Sequence, residues 1–169
     1  MFQNEKVLCL NCYMELPRTR FHNDPENEVA RIFWGRLQVR NATSFMYFNK
    51  DSRYRQILHE LKYRDQQDIG IEMGQLFGLE LKNTRFAQSD IILPVPLHPS
   101  KYRSRGYNQS ELIAKGISQI LDIPVLTGVI VRTVGTGTQT RKGRYERWVN
   151  VKDTFSIVNP APLQDKHVL

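Results

Sequence analysis

Residues 90–110, DIILPVPLHPSKYRSRGYNQS, open on the apolar, β-favouring run Ile91-Ile92-Leu93 and then meet Pro94 and Pro96. Neither proline can donate to a sheet ladder, so a strand is expected to finish here. Next comes a polar segment, predicted as a loop, that holds Lys101, Arg103 and Arg105 at every second position. Gly106 closes it as the residue free to adopt positive φ, and Asn108 or Ser110 is placed to cap a helix whose apolar side begins at Leu112 and Ile113. Strand, basic loop and helix start in that order are how α/β proteins hold anions. The ligand sits beyond the carboxyl end of a strand, where backbone N–H groups and a helix amino terminus point at it and nearby cations neutralise it. Three basic residues in a loop are also what an ordinary solvated surface carries, and the pattern alone leaves both readings open.

The charge distribution adds to this. The formal net charge is +7, and residues 98–152 carry ten basic side chains against Glu111, Asp122 and Glu146, so this half holds the whole excess. A basic half of this kind calls for an anionic partner, either a phosphorylated small molecule or a nucleic-acid backbone, and charge does not choose between them. The length of 169 residues allows one ordinary domain and a small appendage. No apolar run approaches the ~20 residues of a membrane span, and the amino end has no apolar signal core, so a cytoplasmic location is expected. Two cysteines are too few for a disulfide framework and agree with a reducing compartment.

Towards the amino end, Cys9 and Cys12 form a CxxC pair. Two thiolates at this spacing can share a metal ion, but a structural zinc site needs four ligands. His22 is a candidate third at unusual spacing, so a redox pair or two buried thiols stand beside a zinc half-site. Over 26–34, Val29, Ala30, Ile32 and Phe33 share one face of a short predicted helix that Gly35 stops, with Phe33 and Trp34 read as core. Residues 42–48, ATSFMYF, are predicted as a strand. Apolar spacing predicts helices over 53–63 and 68–82, and a third over 108–121 that Asp122 and Pro124 end. Residues 128–132 and 154–158 read as strands, and 166–169 as the first residues of another. Between them, 133–143 has three glycines and no periodicity, which predicts a mobile loop with a basic end.

The string PVPLHP at 94–99, the segment ending Arg105-Gly106-Tyr107-Asn108-Gln109, and Leu61-Lys62-Tyr63 closely resemble the ComF family of phosphoribosyltransferase-like proteins, named for a role in natural competence. Thr136, Gln139, Arg144, Glu146, Arg147, Asn150, Val151 and Phe155 fit a further motif of that family. The resemblance implies an α/β fold of the type I phosphoribosyltransferase class, a parallel sheet flanked by helices over 26–169, preceded by a partial zinc-ribbon segment over 1–25. It implies that Lys101, Arg103, Arg105, Gly106, Tyr107, Asn108 and Gln109 form a pyrophosphate loop for phosphoribosyl pyrophosphate with Mg²⁺. Lys101 and Arg105 would stabilise the charge growing on departing pyrophosphate while a nucleophile, often nitrogen, attacks the anomeric carbon. Gln139, Arg141, Arg144 and Arg147 would arrive on a loop that closes over the substrate.

By the same resemblance Cys9 and Cys12, followed by Leu16-Pro17, would be half of a four-cysteine structural Zn²⁺ site whose upstream CxxC is not in the sequence. Residues 166–169 would open the strand that in the family runs into an acidic pair and a Thr-Thr-Gly loop for the ribose and 5-phosphate. That last core strand and loop are missing too, so the chain is expected to be truncated at both ends and inactive as a transferase. The competence link carries a second expectation, a non-catalytic DNA-uptake module. It would bind single-stranded DNA or competence machinery through the basic half, with Tyr102, Tyr107, Tyr145 and Trp148 as candidate stacking groups.

Overall fold

A computed structural model describes residues 10–48, 66–134 and 154–169. The predicted helix over 53–63 and most of the 133–143 loop lie outside these residues. Within them the chain is a mixture of helix and strand built around two packed helices. In chain order the helices are α1 (Leu10–Met14), α2 (Glu28–Phe33), α3 (Gln67–Leu81), α4 (Pro99–Arg105) and α5 (Gln109–Leu121), with strands β1 (Ile130–Arg132) and β2 (Phe155–Ile157).

The pairing of α3 with α5 follows from the glycines on their facing sides. Gly70, Gly74 and Gly78 recur every fourth residue of α3 and are buried. At Gly74 a side chain would stand 2.2 Å from the Ile113 carbonyl oxygen, and at Gly116 it would stand 2.1 Å from the Ile71 oxygen. The two backbones therefore touch, which only residues without a Cβ permit. On one flank of this seam Ile69, Met73, Tyr107 and Leu112 form a buried cluster, with Phe45 and Met46 against it. Each such side chain contributes about 1.5–3 kcal/mol through burial.

The other buried side of α5 covers the strand that opens the 90–110 stretch. Ile92, Ala114, Ile117 and Ile123 form a second cluster. Ile91 bridges Val168 and Ile92 bridges Val125, both in parallel. Backbone bonds extend both pairings: Leu93 N–H to Leu169 O at 2.8 Å, Leu169 N–H to Ile91 O at 2.9 Å, and Leu126 N–H to Ile92 O at 2.9 Å. Residues 91–93 thus lie in the middle, with 124–126 on one side and 167–169 on the other. The passage from 91–93 through α5 to 124–126 is a strand–helix–strand crossover, the unit that parallel pairing demands. The expectation of a strand beginning at 166–169 agrees with its pairing to Ile91, and the strands expected at 128–132 and 154–158 are β1 and β2, paired antiparallel with Ile130 opposite Ile157.

Two expectations need correction. Residues 42–48 are not a strand; they make one antiparallel bridge, Arg18 to Met46. The partner segment contains Pro17, which has no N–H to continue a ladder and only accepts, from Tyr47 N–H at 2.8 Å. Trp34 is not core but 57% exposed. Helix α2 ends at Phe33, and Trp34, already at ψ 130°, turns away from the buried face that Ala30 occupies.

A buried asparagine fixes the start of α2. Asn27, 3% exposed, accepts from Val29 and Ala30 N–H as the N-cap of α2. Its amide also donates to the carbonyls of Phe21, Asp24 and Ala42. Such full satisfaction is what lets a polar side chain sit in a core. The segment before α2 is tied to α3 by the ion pair of Arg18 with Glu80 at 3.2 Å, and His22 Nδ1 lies 3.4 Å from the other Glu80 oxygen. The Arg18 guanidinium also lies 4.6 Å from the centre of the Tyr13 ring. Among the described residues no helix is long and apolar enough to cross a membrane.

Candidate anion-binding site

At the carboxyl end of 91–93 the chain does not form the expected basic loop. It forms α4, seven residues long. The signals for a helix were present: His98 takes the N-cap place, accepting from Ser100 N–H, and Pro99 follows at the first helical position, where its missing N–H costs nothing. Nδ1 of His98 also accepts from the Ser100 hydroxyl at 2.7 Å, which in the neutral ring leaves the proton on Nε2. Sequence reasoning passed over His98 because histidine is an unusual cap. Gly106 ends α4 at φ 84°, and its N–H bonds to the Tyr102 carbonyl, as anticipated for a residue needing positive φ.

Helical geometry divides the three cations. Lys101 and Arg105, four residues apart, share one side of α4 and are half-buried, while Arg103 is exposed. Arg103 and Arg105 also stand in the last turn, where positive charge complements the helix dipole. Lys101 and Arg103 form no ion pair with another described residue.

Three residues after Arg105 the next helix begins. Asn108, 2% exposed, caps α5 by accepting from Ser110 N–H at 3.1 Å. Its amide donates to the Val95 carbonyl at 3.0 Å and to Glu111 Oε1 at 3.2 Å. The asparagine therefore ties the exit of the strand to the start of the helix. Glu111, not singled out from sequence, sits at the third helical position where an acidic residue serves a capping box. Gln109 Nε2 is a buried donor without a partner among the described residues. Tyr107 belongs elsewhere: its ring is buried in the cluster with Ile69, Met73 and Leu112, so it does not offer a face to stacked bases. Tyr102 is 46% exposed.

Gln139, Arg141, Arg144 and Arg147 lie outside the described residues, as do Lys62, Tyr145 and Trp148. Cys9 is outside them as well, and of Cys12 only the backbone, inside α1, is described. His22, weighed as a third zinc ligand, faces Glu80 instead. Among the described residues no three His, Cys, Asp or Glu side chains could hold a metal ion.

Over 105 residues the chain is 30% identical to competence protein F of Haemophilus influenzae, an alignment that takes in 60% of this chain and 46% of that one. The chain is a relative of the ComF family. To the DNA utilization protein YhgH of Escherichia coli O157:H7 it is 29% identical over 117 residues, covering 67% of this chain and 51% of the relative. The YhgH of Salmonella typhi is 26% identical over the same length. The chain spans about half the length of the curated relatives it matches. No family model matches it, and no solved structure does. In this ComF relative, then, the PVPLHP motif leaves the central strand, and the motif's His98 and Pro99 start α4.

Proposed function

We propose that this ComF relative works in competence or DNA utilization through the α4–α5 junction, which holds the pyrophosphate part of phosphoribosyl pyrophosphate in a type I phosphoribosyltransferase-like domain. The carrying observation is the position of that junction. It lies beyond the carboxyl end of a parallel-paired strand, where α/β proteins gather backbone N–H groups around phosphates. Lys101 and Arg105 supply charge on one side of α4, the amino terminus of α5 supplies the positive end of its dipole, and the unpartnered Gln109 amide supplies a donor. In a phosphoribosyl transfer these groups stabilise the negative charge that develops on pyrophosphate as the bond to the anomeric carbon breaks. Glu111 is bonded through Oε1 to Asn108 as part of the α5 cap, and Mg²⁺ would come with the phosphates of the ligand. The described residues do not assemble a zinc site, and no step is assigned to that metal.

A second reading is favoured by the relatives' names: the same basic side contacts the phosphates of single-stranded DNA without chemistry. Titration with pyrophosphate and with an oligothymidylate at several salt concentrations separates the two. The pyrophosphate reading expects saturable binding that Arg105→Glu abolishes and that exceeds binding to DNA. Preferred DNA binding with a log–log salt slope of roughly −0.7 per phosphate contacted would support the second reading and refute the first.

A further inference from the structure

The opposite end of the parallel-paired strands carries a cleft that the α4–α5 junction does not use. Its volume is about 650 Å³, within the range usual for small-molecule sites. Arg40, Arg85, Lys166 and His167 line it, together with an apolar wall that includes Val39 and Phe86. Arg40 Nη1 lies 2.8 Å from His167 Nε2. A guanidinium can only donate, so the imidazole nitrogen accepts and holds the Arg40 side chain against the cleft. Asp90 offsets one charge, with Lys166 Nζ at 3.7 Å from its Oδ1. Arg40 and Arg85 have no carboxylate partner among the described residues. The result is a concave surface that sets cations beside an aromatic and an aliphatic side chain.

From this juxtaposition we infer a second binding site, for a nucleotide: Arg40, Arg85 and Lys166 meet the phosphate, and the base lies along Phe86 and Val39. Cations alone would suit any anion. The apolar wall adds area for a base face, and the neighbouring amides of Asn41 and Gln88 add hydrogen-bonding groups for its edge. A nucleotide reaches such a cleft either free or as the phosphorylated end of a single strand. The site is separate from the pyrophosphate-holding junction and does not depend on that assignment.

Calorimetric titration of the chain with dAMP, with deoxyadenosine, with inorganic phosphate, and with a 5′-phosphorylated single-stranded tetranucleotide tests it. One-site binding of dAMP is expected, tighter than binding of deoxyadenosine or phosphate. Arg85→Glu and Arg40→Ala should each weaken it by about ten-fold or more, while Arg103→Glu on the distant α4 changes it by less than about two-fold. The arginines are exposed, so circular dichroism should show both variants folded. Tetranucleotide binding well above dAMP, with the same arginine dependence, would identify a strand end as the source; dAMP binding equally well would identify a free nucleotide. No saturable binding of either, or equal losses in Arg103→Glu and Arg85→Glu, would overturn the proposal.

Discussion

Replacing Gly116 with alanine should separate α3 from α5. The new Cβ would stand 2.1 Å from the Ile71 carbonyl oxygen, 2.8 Å from Gln75 N and 2.8 Å from Gly74 Cα. All three are backbone atoms, which cannot rotate aside as the end of a side chain can. Restoring ordinary contact means parting the helices by roughly 1 Å, and a gap of that size forfeits about a quarter to a half of the attraction of each atom pair along the seam. Overpacking of this kind costs about 1–3 kcal/mol, and the rigid obstacle places it at the upper end. Alanine returns about 0.8–1 kcal/mol through its better helix propensity. The net expectation is a loss of about 2 kcal/mol, a large part of a typical domain's stability of about 5–15 kcal/mol. Urea unfolding followed by far-ultraviolet circular dichroism measures it, with Lys115→Ala, at the exposed neighbouring position, as control. A Gly116→Ala protein as stable as wild type, or stabilised as the propensity gain alone predicts, would refute the backbone contact between the helices.

At the junction, Lys101→Ala and Arg105→Ala should each lower pyrophosphate affinity by about ten-fold, and Arg103→Ala by less than about three-fold, because only the first two share a side of α4; isothermal titration reads the difference. Asn108→Ala should lose about 1–2 kcal/mol in urea unfolding, since it removes the cap of α5 and the bond that ties α5 to the Val95 carbonyl. Asp90 gives a pH prediction. The His167 N–H bond, opposed by partial desolvation and assisted by Lys166, holds its carboxyl below the ordinary value of 3.8. A depressed folded value means that ionised Asp90 stabilises the fold fully above that ordinary value, and that this contribution fades as pH falls through the lower folded one. Urea midpoints measured from pH about 6 down to about 3 should therefore fall more steeply for wild type than for Asp90→Asn at the acid end; parallel curves would contradict it.

Much of this structure is legible in the chain. Helices α3 and α5 follow from apolar spacing, and the strand at 91–93 from its β-favouring run and the prolines after it. Gly106 and Asn108 declare a helix stop and a helix start. The GxxxGxxxG spacing of Gly70, Gly74 and Gly78 was equally visible, yet period alone says nothing of what approaches so closely. The basic segment was misread as a loop because alternating cations mask a weak helix signal, which the His98 cap and Pro99 carry. Trp34 was misplaced for the opposite reason: hydrophobicity argues for burial, but a helix that ends one residue earlier has already turned away.

The sequence by itself determined the local elements and the concentration of positive charge, since propensity, capping and composition act over a few neighbouring residues. Tertiary structure alone decided that 91–93 lies between 124–126 and 167–169, because parallel pairing joins segments whose order in the chain does not reveal their order in space. It also decided which cations share a side of α4, that the ring of Tyr107 is core, and that Arg40, Arg85 and Lys166 meet at one cleft. Those are contacts between residues far apart in the chain, set by the close packing of two helices against a strand and not by any pattern within a single element.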